Sequence, residues 1–240
     1  SLLAPGNIPA LAKQYKTRFV FLTRASDIDK FKSHSAYFLL QQHCPIEFIA
    51  INDLIIPNNY STTLTLAYDR AIRQTKAAML NTYFVFLTAD FIFADNAFIG
   101  LMRYMEQGYS GIQTGNFQVV EEEISLFLLE KINKQTHVLQ LDARELLCES
   151  MKHLHPVTVT SSIDQQIVNN LRANRFFTNN THTIAGRFYL LHMFCIKPET
   201  EEYHIGAACD YSFIPEMCPS GNITTITDSD DFFVIEMQPR

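Results

Sequence analysis

Asp90 stands just past the apolar run Tyr83-Phe84-Val85-Phe86-Leu87-Thr88-Ala89, and a carboxylate delivered there is placed to do chemistry. About five apolar residues rich in aromatic and β-branched types read as a strand buried on both faces. In open α/β sheets ligands bind outside the carboxyl ends of such strands, where a carboxylate can hold a divalent cation against a charged substrate. The plainer use of Asp90 is to start a turn before the next helix. The other polar candidates lie later. His153-Leu154-His155-Pro156 ends a helix, where the dipole favours imidazoles and proline stops the winding. Two positions apart, those histidines turn to different faces, which argues against a shared metal and leaves an acceptor or phosphate contact as their functional use. His182, Arg187, His192, Lys197, His204 and Asp210 follow, and then Asp228-Ser229-Asp230-Asp231. That acidic cluster lies between the strand-like stretches 223–227 and 232–237, so it reads as a hairpin turn with solvated charges, cation binding being the alternative.

Elements that could position these groups are visible in the hydrophobic pattern. Strand candidates fall at Phe19–Thr23, 46–52 and 83–88, separated by helical patterns at about 26–42 and 62–80. Alternating strand and helix is the signature of βαβ units, and short crossovers predict these three strands as parallel neighbours in one sheet. Asp95 is the expected N-cap of a helix to about Gln107, with Phe98, Ile99, Met102 and Met105 at helical spacing and Gly108 as its stop. These residues read as core. A further strand is expected at 111–120, and Glu121-Glu122-Glu123 opens a helix whose N-terminal dipole favours acids. Asp142 with Glu145 forms a variant capping box before the apolar stripe Ala143, Leu146, Leu147, Met151 and Leu154. The fold expected is α/β, an open and mostly parallel sheet with flanking helices and a less regular C-terminal part.

The chain has 240 residues, 47% of them hydrophobic, enough for a substantial core in one large domain, and its formal charge is −6 with lysines and arginines scattered. Scattered basic residues argue against a nucleic-acid surface, so an anionic substrate would need a metal or a few placed cations. Cys44, Cys148, Cys195, Cys209 and Cys218 form no C-x-x-C pair, and free thiols in a reducing, cytoplasmic setting are expected, a membrane-surface position staying open. No stretch reaches the roughly 18 apolar residues of a membrane span. The start at Ser1, running into Ala4-Pro5-Gly6-Asn7-Ile8-Pro9, suggests a piece of a longer protein whose earlier part includes a strand. Walker A, G-x-G-x-x-G, G-x-S-x-G and H-E-x-x-H patterns are all missing.

Two stretches in order, Tyr68-Asp69-Arg70-Ala71-Ile72 on a helix and then Tyr83 to Asp90, resemble the nucleotide-sugar half of GT-A-type glycosyltransferases. In that family a small-Arg-Asn-like helical segment precedes a strand ending in Asp-x-Asp. His153 to Pro156, Leu191-His192-Met193-Phe194-Cys195-Ile196-Lys197-Pro198, Asp210-Tyr211 and Thr227 to Asp230 are similar to a poorly described bacterial group of that class. The resemblance spans nearly the whole chain, with 1–120 as the nucleotide-sugar-binding half and 121–240 as the acceptor-side half of one domain. It implies transfer of a sugar from a nucleotide-diphosphate donor to a glycan, lipid or protein acceptor, assisted by Mg²⁺ or Mn²⁺. Asp90 and His192 would hold the metal, Lys197 or Arg70 would meet phosphate oxygens, and Asp210 would take the acceptor's proton. Thr88 stands where the first acid of Asp-x-Asp would be, and the His192 to Pro198 segment is one residue shorter than the family's. A non-catalytic binding module of the same fold and a nucleotidyltransferase stay open as alternatives.

Overall fold

The computed structural model describes residues 1–163, 174–180, 183–188, 191–206 and 209–240; His182 falls outside them, as does the side chain of Asp210. The chain opens with α1 (Ile8–Gln14), whose first turn carries Pro9, and enters β1 (Phe19–Thr23). The helical pattern expected at 26–42 is two helices, α2 (Ile28–Ser33) and α3 (Ser35–Gln41). They break at His34, whose extended backbone and Nδ1, accepting from Ala36 N–H at 3.2 Å, make it the cap of α3. Next come β2 (Ile46–Ala50) and α4 (Tyr60–Gln74), capped by Asn59 accepting from Thr62 N–H.

The third expected strand is cut to β3 (Phe84–Val85), followed by β4 (Phe91–Phe93) and α5 (Ala97–Glu106). Asp95 is not the cap of α5. Asn96 takes that place with a left-handed φ of 68°, while the Asp95 carboxylate accepts from Gly6 N–H at 2.7 Å and from Gln140 at 2.8 Å, tying the N-terminal turn to a distant loop. Gly108 stops α5 as expected, with φ of +86°. The run 111–120 is two strands, β5 (Gly111–Thr114) and β6 (Phe117–Val120), because the chain leaves one sheet for another at Gly115 and Asn116.

Three helices follow, α6 (Glu121–Lys131), α7 (Ala143–Ser150) and α8 (Pro156–Val159). Asp142 caps α7 by accepting from Glu145 N–H, as its spacing predicts. The helix expected to run to Pro156 stops at Ser150, so His153 and His155 lie beyond its end, and Pro156 instead starts α8 at its first position, which suits a residue with no N–H to satisfy. The remaining elements are β7 (Arg175–Asn180), β8 (Thr183–Arg187), β9 (His192–Ile196), α9 (Cys209–Met217), β10 (Ile223–Ile226) and β11 (Val234–Gln238).

The molecule is mixed α/β with small sheets, some of them parallel. β1 and β2 pair in parallel, in register Phe19 with Ile46 to Thr23 with Ala50, as expected. β3 does not join them by hydrogen bonds. It belongs to a second sheet in the order β10-β5-β9-β3, where β9 runs antiparallel to both β5 and β3 while β10 and β5 are parallel. The single parallel sheet expected through all three strands is therefore replaced by two, with β3 held by β9, a strand the alternation of early elements gave no sign of. A third sheet, β4-β11-β6, and the β7-β8 hairpin complete the set.

Two apolar clusters flank the first two sheets. On one side α1, α3 and α5 supply Ile8, Leu11, Leu40, Phe98, Leu101 and Met105, with Phe19, Phe21, Tyr83, Val85 and Leu87 packed against them. On the other, α4 and α9 supply Tyr68, Ile72, Phe213, Ile214 and Met217, with Leu22, Phe84 and Phe86 facing them. Alternate side chains of each strand thus go to opposite helical layers, the pattern of a strand covered on both faces. Among the described residues no helix is long and apolar enough to cross a membrane.

Residues 227 to 233 do not make a hairpin. β10 joins β5 and β11 lies between β4 and β6, so the acidic stretch links two sheets. Asp230 pairs with Arg144 at 2.7 Å and Asp231 with Arg103 at 2.9 Å, which accounts for these charges by ion pairing. The Asp231 carbonyl also seats on α5 at Gly100, where an added Cβ would lie 1.7 Å from it. Gly100→Ala is therefore expected to destabilise the protein by about 3 kcal/mol, the upper range for overpacking against backbone, read as a fall in melting temperature of about 10 °C. A variant melting with the parent would show that this contact yields freely.

Candidate functional site

A cleft of about 2560 Å³ opens between β1 and β3, walled by α4 and closed at one end by residues 88–91, His192 and Glu236. Asp90 and His192 both line it, although about a hundred residues separate them. β3 runs toward Asp90 while its antiparallel neighbour β9 begins with His192, so the two arrive at the same end of the sheet. The Phe91 ring meets the His192 ring edge-on, centroids 6.3 Å apart at 88°.

Asp90 is fixed by β11. Its carbonyl accepts from Met237 N–H at 2.9 Å, and its Oδ2 accepts from Gln238 Nε2 at 3.0 Å. The same nitrogen donates to Glu236 Oε1 at 2.7 Å, so two carboxylate oxygens sit on one amide, at most about 6 Å apart. Glu236 also accepts from Asn116 Nδ2 at 3.1 Å and Gln118 Nε2 at 3.0 Å. Three amides therefore hold one carboxylate in a fixed orientation facing the cleft. Beside them the buried Thr88 hydroxyl has no hydrogen-bond partner. An unsatisfied buried hydroxyl costs about 1–3 kcal/mol, a cost that a polar ligand in the cleft would offset.

Glu236, Gln238, Asn116 and Gln118 escaped the sequence reading. The available signal was Glu236 itself, a charge within the apolar stretch Phe232-Phe233-Val234-Ile235, where burial requires partners.

The remaining candidates lie elsewhere. Arg70 donates bidentately to Asp53 at 2.8 and 2.6 Å and to the Ala50 carbonyl, and that hydrogen bonding draws the Asp53 pKa down to about 2. It clasps the 51–59 loop to α4 on the outside of the cleft. Lys197 stands past the end of β9 opposite His192, its Nζ 5.8 Å from the centre of the Tyr83 ring. At about 3.3 Å per residue the two are roughly 15 Å apart along the backbone, at opposite ends of the strand. His153 lies between Glu123 at 3.3 Å and Glu149 at 3.2 Å, and His155 caps α8 while its Nε2 meets the Pro239 carbonyl. Both serve as joints between α6, α7, α8 and the C-terminal residues. Asp210 is in the first turn of α9, which packs under β9.

Thiol chemistry has little support. Cys44, Cys195 and Cys218 are buried and free, and burial pushes the Cys195 thiol far up and that of Cys218 up to about 12. Cys148 is free and exposed, away from the cleft. The sixfold-coordinated cations tolerate a sparse protein shell, since Mg²⁺ is commonly held by one or two carboxylates together with substrate phosphates and water. Asp90 and Glu236 suit that donor set, and the Thr88 hydroxyl adds an oxygen in search of a partner. Among the described residues no three acidic, histidine or cysteine side chains are gathered as a metal cage. In comparisons with protein-family models, curated proteins and solved structures, nothing matched the chain.

Proposed function

We propose that the chain is a glycosyltransferase that binds a nucleotide-diphosphate sugar in the cleft between β1 and β3, with Asp90 and Glu236 at the reacting end. The observation that supports this most is the pair of carboxylates sharing the Gln238 amide beside the unpartnered Thr88 hydroxyl, at the carboxyl end of β3. Such an end is where open α/β architectures take their ligands. A cleft of this size accommodates a drug-sized or larger ligand.

Breaking a sugar–phosphate bond places negative charge on the leaving diphosphate, and that charge must be met in the transition state. A Mg²⁺ or Mn²⁺ held by Asp90 and Glu236 would supply the neutralisation, with His192 lining the same end of the cleft. Gln238 orients both carboxylates and keeps them apart. The Thr88 hydroxyl donates to a donor oxygen or accepts from a sugar hydroxyl. Phe91 fixes the plane of His192 by its edge-on contact. The acceptor's proton passes to a carboxylate, Asp210 by the resemblance.

Calorimetry with UDP- and GDP-sugars, with and without Mn²⁺, tests the reading. Binding that strengthens with Mn²⁺, accompanied by release of the nucleoside diphosphate, is the expected result. Binding without turnover would convert the reading to a recognition module, and no binding to any nucleotide-sugar would remove it. Arg70→Ala and Lys197→Ala are expected to leave donor affinity within about threefold of the parent, below 0.7 kcal/mol, because neither side chain reaches the cleft. A tenfold loss in either would restore it to the site.

A further inference from the structure

The strands on the two sides of the cleft are matched in a way that their separate sheets do not use. β1 spends one edge on β2. Phe19 N–H donates to the Pro45 carbonyl at 2.9 Å and the Thr23 carbonyl accepts from Ile51 N–H at 3.0 Å, so the odd-numbered backbone groups point at β2. By strand alternation the N–H and C=O groups of Val20 and Leu22 point into the cleft. β3 spends its edge on β9 through even-numbered residues, as Phe86 N–H donating to the Phe194 carbonyl at 2.9 Å shows. Tyr83, Val85 and Leu87 therefore turn their backbone groups to the cleft from the other side. All five residues line it.

Side-chain direction adds a second constraint. Phe19 and Phe21 on β1, like Tyr83, Val85 and Leu87 on β3, pack toward the α1, α3 and α5 layer. Leu22, like Phe84 and Phe86, packs toward the α4 and α9 layer. Both strands thus lie in one layer between the same two layers of helices, with free edges facing each other. Residues opposite one another in a sheet share a face, so Val20 and Leu22 can lie only opposite even-numbered residues of β3. In an antiparallel pair, opposed residues direct their backbone groups at each other or both away, which would place Leu22 against an odd-numbered residue of the wrong face. In a parallel pair a residue bonds to the neighbours of the one opposite it. Leu22 opposite Phe86 would then bond to Val85 and Leu87, whose groups are the ones turned to the cleft. Only parallel joining satisfies both the edges and the faces.

We propose that β2 and β1, with α2 and α3, form a flap whose resting position is closed, β1 zipped in parallel onto β3 so that the two sheets become one, and that the open cleft is the form that admits a ligand. The open form leaves the cleft-facing edges of β1 and β3 outside any sheet pairing and leaves every side chain of β1 only half buried, although all but Thr23 are apolar. Closure removes both costs. A ligand that fills the cleft would hold the flap off β3, so its binding is linked to opening.

Amide hydrogen exchange of the intact protein without ligand, resolved by residue with NMR, reads this directly. In the closed form the amides of Val20, Leu22, Val85 and Leu87 exchange within about tenfold of that of Phe21, which bonds to β2. Exchange more than tenfold faster at these alternating positions overturns the proposal, because it marks standing free edges. Val20→Pro is the second test. Proline is tolerated where an edge N–H faces solvent and is costly where the N–H serves a ladder, so a fall in melting temperature of about 10 °C supports closure and an unchanged melting temperature overturns it. Neither measurement depends on what the cleft binds.

Discussion

Phe194→Ala is expected to cost about 3–5 kcal/mol and to lower the melting temperature by about 10 °C or more, among the largest stability losses available to a single substitution in this chain. Phe194 is 1% exposed in the middle of β9. Its ring lies 4.5 Å from that of Phe232, 5.8 Å from Phe93 and 6.2 Å from Phe98, centroid to centroid, at tilted or edge-on angles. These rings come from the segment before β11, from β4 and from α5, so the side chain joins the second and third sheets to the helical layer. Truncation removes its contacts with all three and leaves a cavity that backbone held in two sheets cannot collapse to fill. Thermal unfolding followed by circular dichroism measures the shift. A loss under about 1 kcal/mol would mean that the sheets meet through other contacts and that β9 is peripheral to the core.

The position of β9 also shows why some of this fold could be read from residues and some could not. β1 and β2 announce themselves as apolar runs bounded by polar residues, and their parallel pairing follows from the helices between them. The α5 core was legible for a similar reason, since Phe98, Met102 and Met105 recur at helical spacing and are buried. β9 is comparable in composition, but its partners β5 and β3 lie about 80 and 110 residues earlier, and periodicity contains no information about such pairing. The break of 111–120 into β5 and β6 is a tertiary event of the same kind. Local polar chemistry misled where a tertiary partner won the group: Asp95 has the composition of a cap but is taken by Gly6 and Gln140. Asp90 was visible because a carboxylate after an apolar run is a local pattern. Glu236, its neighbour across the Gln238 amide, is about 146 residues away in sequence and becomes part of the site only through the pairing of β11 with β4.

Asp90→Asn and Glu236→Gln are each expected to lower donor binding or turnover at least tenfold, about 1.4 kcal/mol or more, under the proposed function. The two substitutions act through the same atoms. Each replaces a charged acceptor by a neutral amide, and the Gln238 nitrogen that now serves both carboxylates keeps one charged partner and gains a competing donor. At Glu236 the loss is compounded, because Asn116 and Gln118 donate to the same carboxylate and their amides would face an amide in its place. Since the two groups share one partner, the double variant should lose less than the sum of the single losses, and the shortfall measures their coupling. Asp230→Asn is the contrasting case. Its carboxylate pairs with Arg144 away from the cleft, so activity should stay within about twofold of the parent. Unchanged activity in both Asp90→Asn and Glu236→Gln would return Asp90 to the role of a turn residue held by β11. A large loss in Asp230→Asn, with those two intact, would move the anionic site to the acidic link between β10 and β11.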